Sequence, residues 1–243
     1  SNKRNFIVHG SILAIAGILV RIIGMLYRIP VVNIIGSEGN GIYGAAFNIY
    51  NIMLVLSSYG LPMAVSKLVS ARFTKKRYKS AAKVLRCSLM VAVCTGGIAA
   101  LLVFFGASFI ENVIYGGGLP GLAVPLRILA PTIFLVAILG VIRGFFQGQS
   151  TMIPTAVSQI LEQIVNAIVS IAAGYGMMKA FASLPDVAAY GAAGSTLGTA
   201  MGALTAVLFM GFLYAVYTPT FNRLKRKDRH TENQSTGQIC KII

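Results

Sequence analysis

Residues 10–28, GSILAIAGILVRIIGMLYR, decide the fold class of this chain. Small and basic residues recur there every three or four positions, so they share one helix face, while the other faces are aliphatic. The shared face consists of Gly10, Ala14, Gly17, Arg21, Gly24 and Arg28. If the helix enters a bilayer near Phe6, Arg21 lies roughly 22 Å along it, where an arginine facing lipid costs about 3 kcal/mol. We therefore expect Arg21 to face a polar cavity or a partner.

The rest of the chain is apolar in the same way. Hydrophobic residues make up 56% of it, charged residues 11%, and the mean hydropathy is +0.76, well outside the range of soluble proteins. Residues 39–66, 87–110 and 187–222 contain no charged residue, and each stretch is long enough for a membrane-spanning helix of about 20 residues. Three further apolar stretches contain ionisable residues. The sequence predicts an all-α, polytopic membrane protein with six transmembrane helices, which span about 6–29, 41–66, 86–110, 122–146, 153–179 and 190–217.

The positive charges indicate how these helices are oriented. The net charge is +15, but sixteen of the 21 basic residues fall on one side of the predicted helices and the other five lie within or beside them, which argues against a nucleic-acid partner. If the N-terminus is cytoplasmic, the basic residues at 3–4, 67–86 and 223–241 lie inside, and the outer loops 30–40, 111–121 and 182–190 hold none. The positive-inside rule then places both termini in the cytoplasm. No cleavable signal peptide is expected. We divide the chain into a six-helix unit, 1–218, and a basic, disordered cytoplasmic tail or linker, 219–243.

Polar side chains also lie on two other predicted helices. The second helix carries Asn48 and Asn51 on one face, and the fifth carries a polar stripe of Gln159, Glu162, Gln163, Asn166 and Ser170. Such stripes inside a bilayer line water or meet other polar helices. Glu162 is the only acid within a predicted span, and it could neutralise Arg143 or Arg21. A structural ion pair and a proton or cation switch both remain open.

Other patterns predict how the helices begin, end and pack. Pro30 should end the first helix, and Pro62 should bend or end the second. Ser150 or Thr151 should cap the fifth helix, with Pro154 in its first turn. Glycines every three or four positions on the sixth helix favour close packing against a neighbour, with a hinge as the alternative. These glycines are Gly191, Gly194, Gly198 and Gly202. The basic run 75–79 favours contact with anionic lipid head groups, and recognition of an anionic substrate is the alternative.

Motifs for covalent chemistry are missing from the sequence. It contains no GxxxxGK[ST] loop, no HExxH, no paired CxxC and no Ser/His/Asp set, and the three cysteines lack metal-ligand company. We therefore expect no enzymatic activity and no metal site. Inward arginines, amides and one acid describe a binding cavity, which favours the movement of an anion or an anionic head group.

Several motifs resemble one family of membrane carriers. They are RIIG at 21–24, YRIP at 27–30, IGSEGNGIY at 35–43, GLP at 60–62 with SKLV at 66–69, RGFFQG at 143–148, Pro154, and QILEQ at 159–163. These stretches resemble the polysaccharide transporter branch of the multidrug/oligosaccharidyl-lipid/polysaccharide (MOP) exporter superfamily. Within it they are most similar to the stage V sporulation protein B group, relatives of the lipid II flippase MurJ.

The resemblance implies a fold and a function. It implies one lobe of a MOP-type, MATE-like transporter, which would face a second six-helix lobe in the bacterial cytoplasmic membrane. Such a carrier flips an undecaprenyl-diphosphate-linked glycan by alternating access for polysaccharide or peptidoglycan synthesis. Arg21 matches the family's cavity arginine. The predicted substrate-binding set is Arg21, Arg28, Asn48, Asn51, Gln159, Glu162, Gln163 and Asn166. No cofactor is expected, and a coupling ion, Na⁺ or H⁺, is left open.

Two other functions remain open at this point. A cation-coupled multidrug antiporter of the same superfamily would need an acid in its cavity, and Glu162 is the candidate. A half-length scaffold or truncated remnant would transport nothing.

Overall fold

The structure is a computed structural model that describes residues 2–230, 235–240 and 242–243, with side chains from residue 7 onward. All regular elements in these ranges are helical, which confirms the predicted all-α membrane fold. The helices are α1 (Asn2–Ser57), α2 (Leu61–Thr74), α3 (Tyr78–Phe109) followed by a π-helical turn (Ile110–Ile114), α4 (Ala123–Gln147), α5 (Ile153–Ala180), α6 (Val187–Lys227) and α7 (Thr236–Cys240). Five continuous apolar segments in the described residues could cross a membrane. The first of them, Ile7–Thr74, is long enough for two crossings.

Helix α1 consists of two arms that meet at Gly36. Gly36 has φ of 72° and ψ of −176°, a backbone conformation that favours glycine, and it separates a first arm, 2–35, from a second arm, 37–57. The chain folds back there, because Arg28 contacts both Asn40 and Tyr43. We expected a loop over 30–40, but Pro30 lies inside the helix. Membrane helices tolerate proline because neighbouring groups satisfy the freed carbonyl.

Helix α2 packs directly against α4. The second arm ends at Ser57, and α2 begins at Leu61 with Pro62 in its first turn, so the predicted second span is interrupted. Gly140 and Gly144 on α4, together with Gly148 directly after it, form a row that faces α2. A Cβ at Gly144 would lie 2.5 Å from the Pro62 carbonyl oxygen. The two backbones therefore pack with no side chain between them.

Helices α5 and α6 pack equally closely. A Cβ added at Gly198 would lie 2.6 Å from the Asn166 carbonyl oxygen, and one at Gly202 would lie 2.6 Å from the Glu162 carbonyl oxygen. The Ser170 hydroxyl donates a hydrogen bond of 2.8 Å to the Ser195 carbonyl across this interface. These contacts confirm the packing role predicted for the glycines of α6. The predicted cap of α5 is wrong, because the helix starts after Met152 with no side-chain cap bond, although Pro154 does lie in its first turn.

The buried side chains form two clusters, one at each end of the molecule. The cluster nearer Gly36 includes Val31, Ile42 and Leu126. The other lies at the end that carries most of the basic residues, which we call the basic end. At its centre is an aromatic cluster of Phe73, Phe145, Tyr217 and Phe221. Phe221 belongs to α6, which continues through Pro219 to Lys227, so the described part of the expected tail begins as a helix that buries Phe221.

The chain beyond α6 is also docked on the helices. Asp228 is buried, and its carboxylate accepts hydrogen bonds from the backbone N–H of Lys79, in the first turn of α3, and from the backbone N–H of His230. Helix α7 lies against α3, where Ile239 is buried. The described parts of 219–243 are therefore ordered against the helices rather than disordered. Residues 231–234 and 241 of this segment lie outside the described residues, as do the side chains of Lys3 and Arg4.

Candidate functional site

Arg21 and Arg28 line the same cavity on the first arm of α1. The cavity has a volume of about 760 Å³ and is open to the surroundings of the molecule. We call it the arginine cavity; its lining residues are Arg21, Gly24, Met25, Arg28, Ile29, Val32 and Asn33. Both arginine side chains are exposed, so the sequence-predicted pair lies on one accessible, largely apolar surface.

Gly24 brings this surface close to α5. A Cβ at Gly24 would lie 3.2 Å from the Nε2 atom of Gln163, so glycine allows the amide to approach the α1 backbone. Arg21 and Arg28 lie three and four residues away from Gly24 and so share its helix face. The backbone positions of both arginines therefore lie next to the surface of α1 that packs against α5.

Arg28 is held by the second arm. One Nη atom donates a hydrogen bond of 3.3 Å to the Asn40 side-chain oxygen, and the guanidinium carbon lies 4.9 Å from the centre of the Tyr43 ring. A cation over an aromatic face is stabilised by about 0.5–1 kcal/mol at an exposed site. We did not predict Asn40 or Tyr43 as neighbours of the site, since no local pattern indicates that the chain folds back at Gly36.

Glu162 is paired with Arg143. The Nη2 atom of Arg143 lies 2.8 Å from Oε2 of Glu162, and the Nε atom donates a 2.9 Å hydrogen bond to the Ser158 hydroxyl. The two charged side chains are 15% and 25% exposed. The acid of the fifth helix is therefore neutralised within the lobe by the fourth helix, and not by Arg21.

Asn166 belongs to the packing between helices. It is buried, its amide nitrogen donates a 3.3 Å hydrogen bond to the Tyr27 hydroxyl, and its oxygen accepts one of 2.9 Å from Ser170. This hydrogen bond links the first arm to α5 through Tyr27, a residue that we did not predict as part of the site.

The remaining predicted residues do not join the arginine cavity. Asn48 and Asn51 are exposed on the second arm, and Gln159 and Gln163 are partly buried on α5. None of the four lines the arginine cavity. The described residues also contain no group of three or more His, Cys, Asp or Glu that could hold a metal ion.

Comparison with known proteins places this geometry in a family. The model of the family described as "Polysaccharide biosynthesis protein" matches residues 7–237. The chain belongs to this family, and the resemblance found in the sequence is confirmed. Among curated members from Bacillus subtilis (strain 168), it is 34% identical to the lipid II flippase MurJ over 70% of the chain and 32% of MurJ. It is 31% identical to stage V sporulation protein B over 86% of the chain and 39% of that protein. It is 30% identical to the uncharacterized membrane protein YabM over 96% of the chain and 41% of YabM.

Solved structures give the same fold. A MOP superfamily transporter from Pyrococcus furiosus Vc1 superposes with a TM-score of 0.68 at 18% identity, over 85% of this chain and 44% of the transporter. An outward-facing multidrug resistance MATE family transporter superposes with the same TM-score at 15% identity, over 95% and 49%. The family member described here therefore has the fold of about half of a MOP transporter, and it spans 32–41% of the curated relatives it matches.

Proposed function

We propose that this chain is the N-terminal lobe of an alternating-access carrier that flips undecaprenyl-diphosphate-linked glycan precursors across the bacterial cytoplasmic membrane. The observation that carries the proposal is the arginine cavity, where two guanidinium groups share an accessible, mostly apolar surface. The curated relative MurJ is named a lipid II flippase, which supports the same class of cargo.

The chemistry of the arginine cavity suits this cargo. Guanidinium groups are always charged and offer planar sets of donors, which match the oxygens of a diphosphate. Met25, Ile29 and Val32 provide apolar walls beside them, suited to the first isoprene units of the lipid. Binding and release of such a head group require no covalent step, so we propose a transporter and not an enzyme.

A second lobe would complete the binding site. Arg21 and Arg28 are exposed in the lobe by itself, and an arginine at membrane depth is costly against lipid. A facing lobe would enclose them in a polar chamber, and it would bring further groups to the diphosphate. We propose that Asn48, Asn51, Gln159 and Gln163 line the path of the sugar between the two lobes, and that residues 219–243 lead toward the second lobe.

The test is to replace Arg21 in the full-length protein. Arg21→Ala should abolish complementation of a flippase-deficient strain, while Arg21→Lys should retain part of it because the charge remains. Arg127→Ala is the matched control, since Arg127 is exposed and its guanidinium bonds the Ser108 hydroxyl at 2.9 Å. Normal growth with Arg21→Ala at normal expression would refute the role of the arginine cavity.

The other functions are less well supported. A multidrug antiporter needs a free acid to bind cations, whereas Glu162 is paired with Arg143. Cationic dyes that bind the purified protein in a Glu162-dependent way would favour the antiporter. The scaffold function is tested most cheaply by reading the DNA beyond the codon for Ile243. A reading frame that continues there with further apolar spans would exclude a half-length scaffold.

A further inference from the structure

A second and larger cavity lies at the basic end. Its volume is about 1020 Å³, and it is lined by the start of the first arm, by α2 and by the turn between α4 and α5. We call it the serine cavity; the polar residues that bear on its chemistry are His9, Tyr59, Ser66, Lys67, Ser70 and Gln147. A volume of this size accommodates a ligand as large as an oligosaccharide head group.

Helix α2 turns its polar face toward this cavity. Leu61, Val65 and Val69 are buried at spacings of four, where α2 packs inside the lobe. Ser66, Lys67 and Ser70 follow the spacing of a second helix face and line the serine cavity. A lipid-facing helix would carry aliphatic residues at these positions, so the pattern indicates a polar ligand or water beside α2.

The lining combines neutral donors with one positive charge. The serine hydroxyls, the Gln147 amide and the Tyr59 phenol are groups that hydrogen-bond sugar hydroxyls, and the Tyr59 ring can pack against a sugar face. Lys67 is exposed, and no described acidic side chain lies within ion-pair distance of it. None of the described residues that line the cavity carries a carboxylate. The cavity therefore favours a polyhydroxylated group that carries a negative charge.

His9 contributes to the lining of the serine cavity from the first arm. Its Nδ1 atom is buried and has no hydrogen-bond partner among the described residues. Along the first arm, His9 lies roughly 18 Å from Arg21 at about 1.5 Å per residue. The two cavities are thus separate places on the same helix.

We propose that the serine cavity is a second subsite, which holds the anionic glycan portion of the lipid-linked substrate while the arginine cavity takes the diphosphate. The proposal rests on the proposed function, and it assigns sugar recognition to Ser66 and Ser70 and recognition of a carboxylate to Lys67. The resulting two-point binding would distinguish a lipid that bears a glycan from the bare diphosphate lipid.

The experiment compares two lipids in nanodiscs that contain the full-length protein. One probe is undecaprenyl diphosphate, and the other is the same lipid with a disaccharide-pentapeptide, which supplies both sugar hydroxyls and carboxylates. Lys67→Ala and the double variant Ser66→Ala/Ser70→Ala should each weaken binding of the glycan-bearing lipid about tenfold, because hydrogen bonds to that head group are lost. Binding of undecaprenyl diphosphate should stay within about twofold. Lys67→Arg should retain binding, and Lys227→Ala is the matched control on an exposed lysine at the same end.

The possible outcomes separate this inference from the proposed function. Arg21→Ala should weaken both lipids, and if it weakens neither, the arginine cavity is refuted while the Lys67 result still decides the serine cavity. Equal loss of both lipids in Lys67→Ala would make the serine cavity a diphosphate site and overturn the inference. If Lys67→Ala binds both lipids as well as the parent does, the serine cavity is a water-filled entrance and the inference is overturned. A parent protein that binds neither lipid overturns both proposals.

Chemical labelling provides a measurement that does not depend on weakened binding. Met63→Cys, at an exposed position in the lining of the serine cavity, should react with a methanethiosulfonate reagent in a background with Cys94→Ser and Cys240→Ser. The glycan-bearing lipid should slow that reaction several-fold, and undecaprenyl diphosphate should not. Equal rates with and without the glycan would count against the serine cavity as a subsite.

Discussion

Arg143 and Glu162 show how a membrane helix can carry a charge without exposing it to lipid. The pair is joined at 2.8 Å, and Ser158 holds the guanidinium on a second side. A partly buried ion pair adds little net stability when both partners are present, but removal of one partner leaves the other charge without compensation. The ion pair therefore affects the stability most when only one of its two partners is removed.

Glu162→Ala should lower the free energy of unfolding by about 1–3 kcal/mol, because Arg143 keeps its charge and loses its partner. The double variant Arg143→Met/Glu162→Leu should be more stable than Glu162→Ala, since no unpaired charge remains. Thermal unfolding in detergent measures both, with the exposed Glu38→Gln as control. A double variant at least as unstable as the single one would contradict this account.

The packing between α5 and α6 depends on glycines at particular positions. Gly198 lies against the α5 backbone, whereas Gly211, on the same helix, has no atom within 4 Å of an added Cβ. The two positions therefore allow the same substitution to be compared at a close contact and at an open surface.

Gly198→Ala should destabilise the protein by about 1–3 kcal/mol, because the methyl group forces α5 and α6 apart. Gly211→Ala should be neutral or stabilising by up to about 1 kcal/mol, because alanine has the higher helix propensity. Thermal unfolding of the two variants in one detergent provides the comparison. Equal effects would mean that helix propensity, and not helix separation, governs both sites.

The start of α3 is capped by a residue distant in sequence. Burial by itself raises the pKa of the Asp228 carboxyl. Hydrogen bonds from the backbone N–H groups of Lys79 and His230, together with the nearby His230 ring, have a larger opposite effect. The pKa therefore lies below its ordinary value of 3.8. A depressed pKa means that the carboxylate stabilises the fold above the ordinary pKa, and that this contribution is lost as the pH falls through the lower, folded-state value.

Asp228→Asn should therefore lower the stability by about 1 kcal/mol near neutral pH, the usual contribution of a helix cap. The difference between variant and parent should shrink as the pH falls from about 3.8 through the lower folded-state pKa, where the carboxyl of the folded parent becomes protonated. Asp186→Asn is the matched control, because Asp186 stands at the start of α6 without a side-chain cap bond. Thermal unfolding over a pH series tests this, and a gap that persists unchanged in acid would contradict it.

Spacing and charge were sufficient to predict some parts of the site, whereas the helix boundaries that we expected near prolines were wrong. The positions of Arg21 and Arg28 on one helix face follow from periodicity, which is a local property, and the structure places both at one cavity. Pro30 and Pro219, in contrast, lie inside α1 and α6 and do not end them, because membrane helices accommodate proline. The rule for soluble helices therefore gave boundaries that were too early.

Contacts between distant residues could not be predicted from local patterns. Asp228 and Lys79 are 149 residues apart, and nothing near either one indicates the cap. The aromatic cluster likewise takes its rings from α2, α4 and α6, so the burial of Phe221 at the start of the expected tail could not be predicted from its neighbours in sequence.

Most basic residues lie at one end of the lobe, and the end near Gly36 carries few, among them Arg28, Arg127 and Lys179. This distribution supports our proposal that the basic end is cytoplasmic. In a cysteine-free background, Ser37→Cys should react with a membrane-impermeant maleimide in intact cells, since Ser37 is exposed beside Gly36. Thr74→Cys, exposed at the basic end, should react only after permeabilisation. The reverse pattern would invert the proposed orientation.

The single joint at Gly36 gives the first arm the mechanics of a long lever. His9 lies roughly 40 Å from Gly36 at about 1.5 Å per residue. A rotation of about 5° at this glycine would therefore displace the far tip by roughly 3.5 Å, about the thickness of an aromatic ring, while Arg28 beside the joint would barely move. A change of one backbone torsion at Gly36 would therefore alter the width of the gap between the first arm and α2, and it would also shift the first arm against α5.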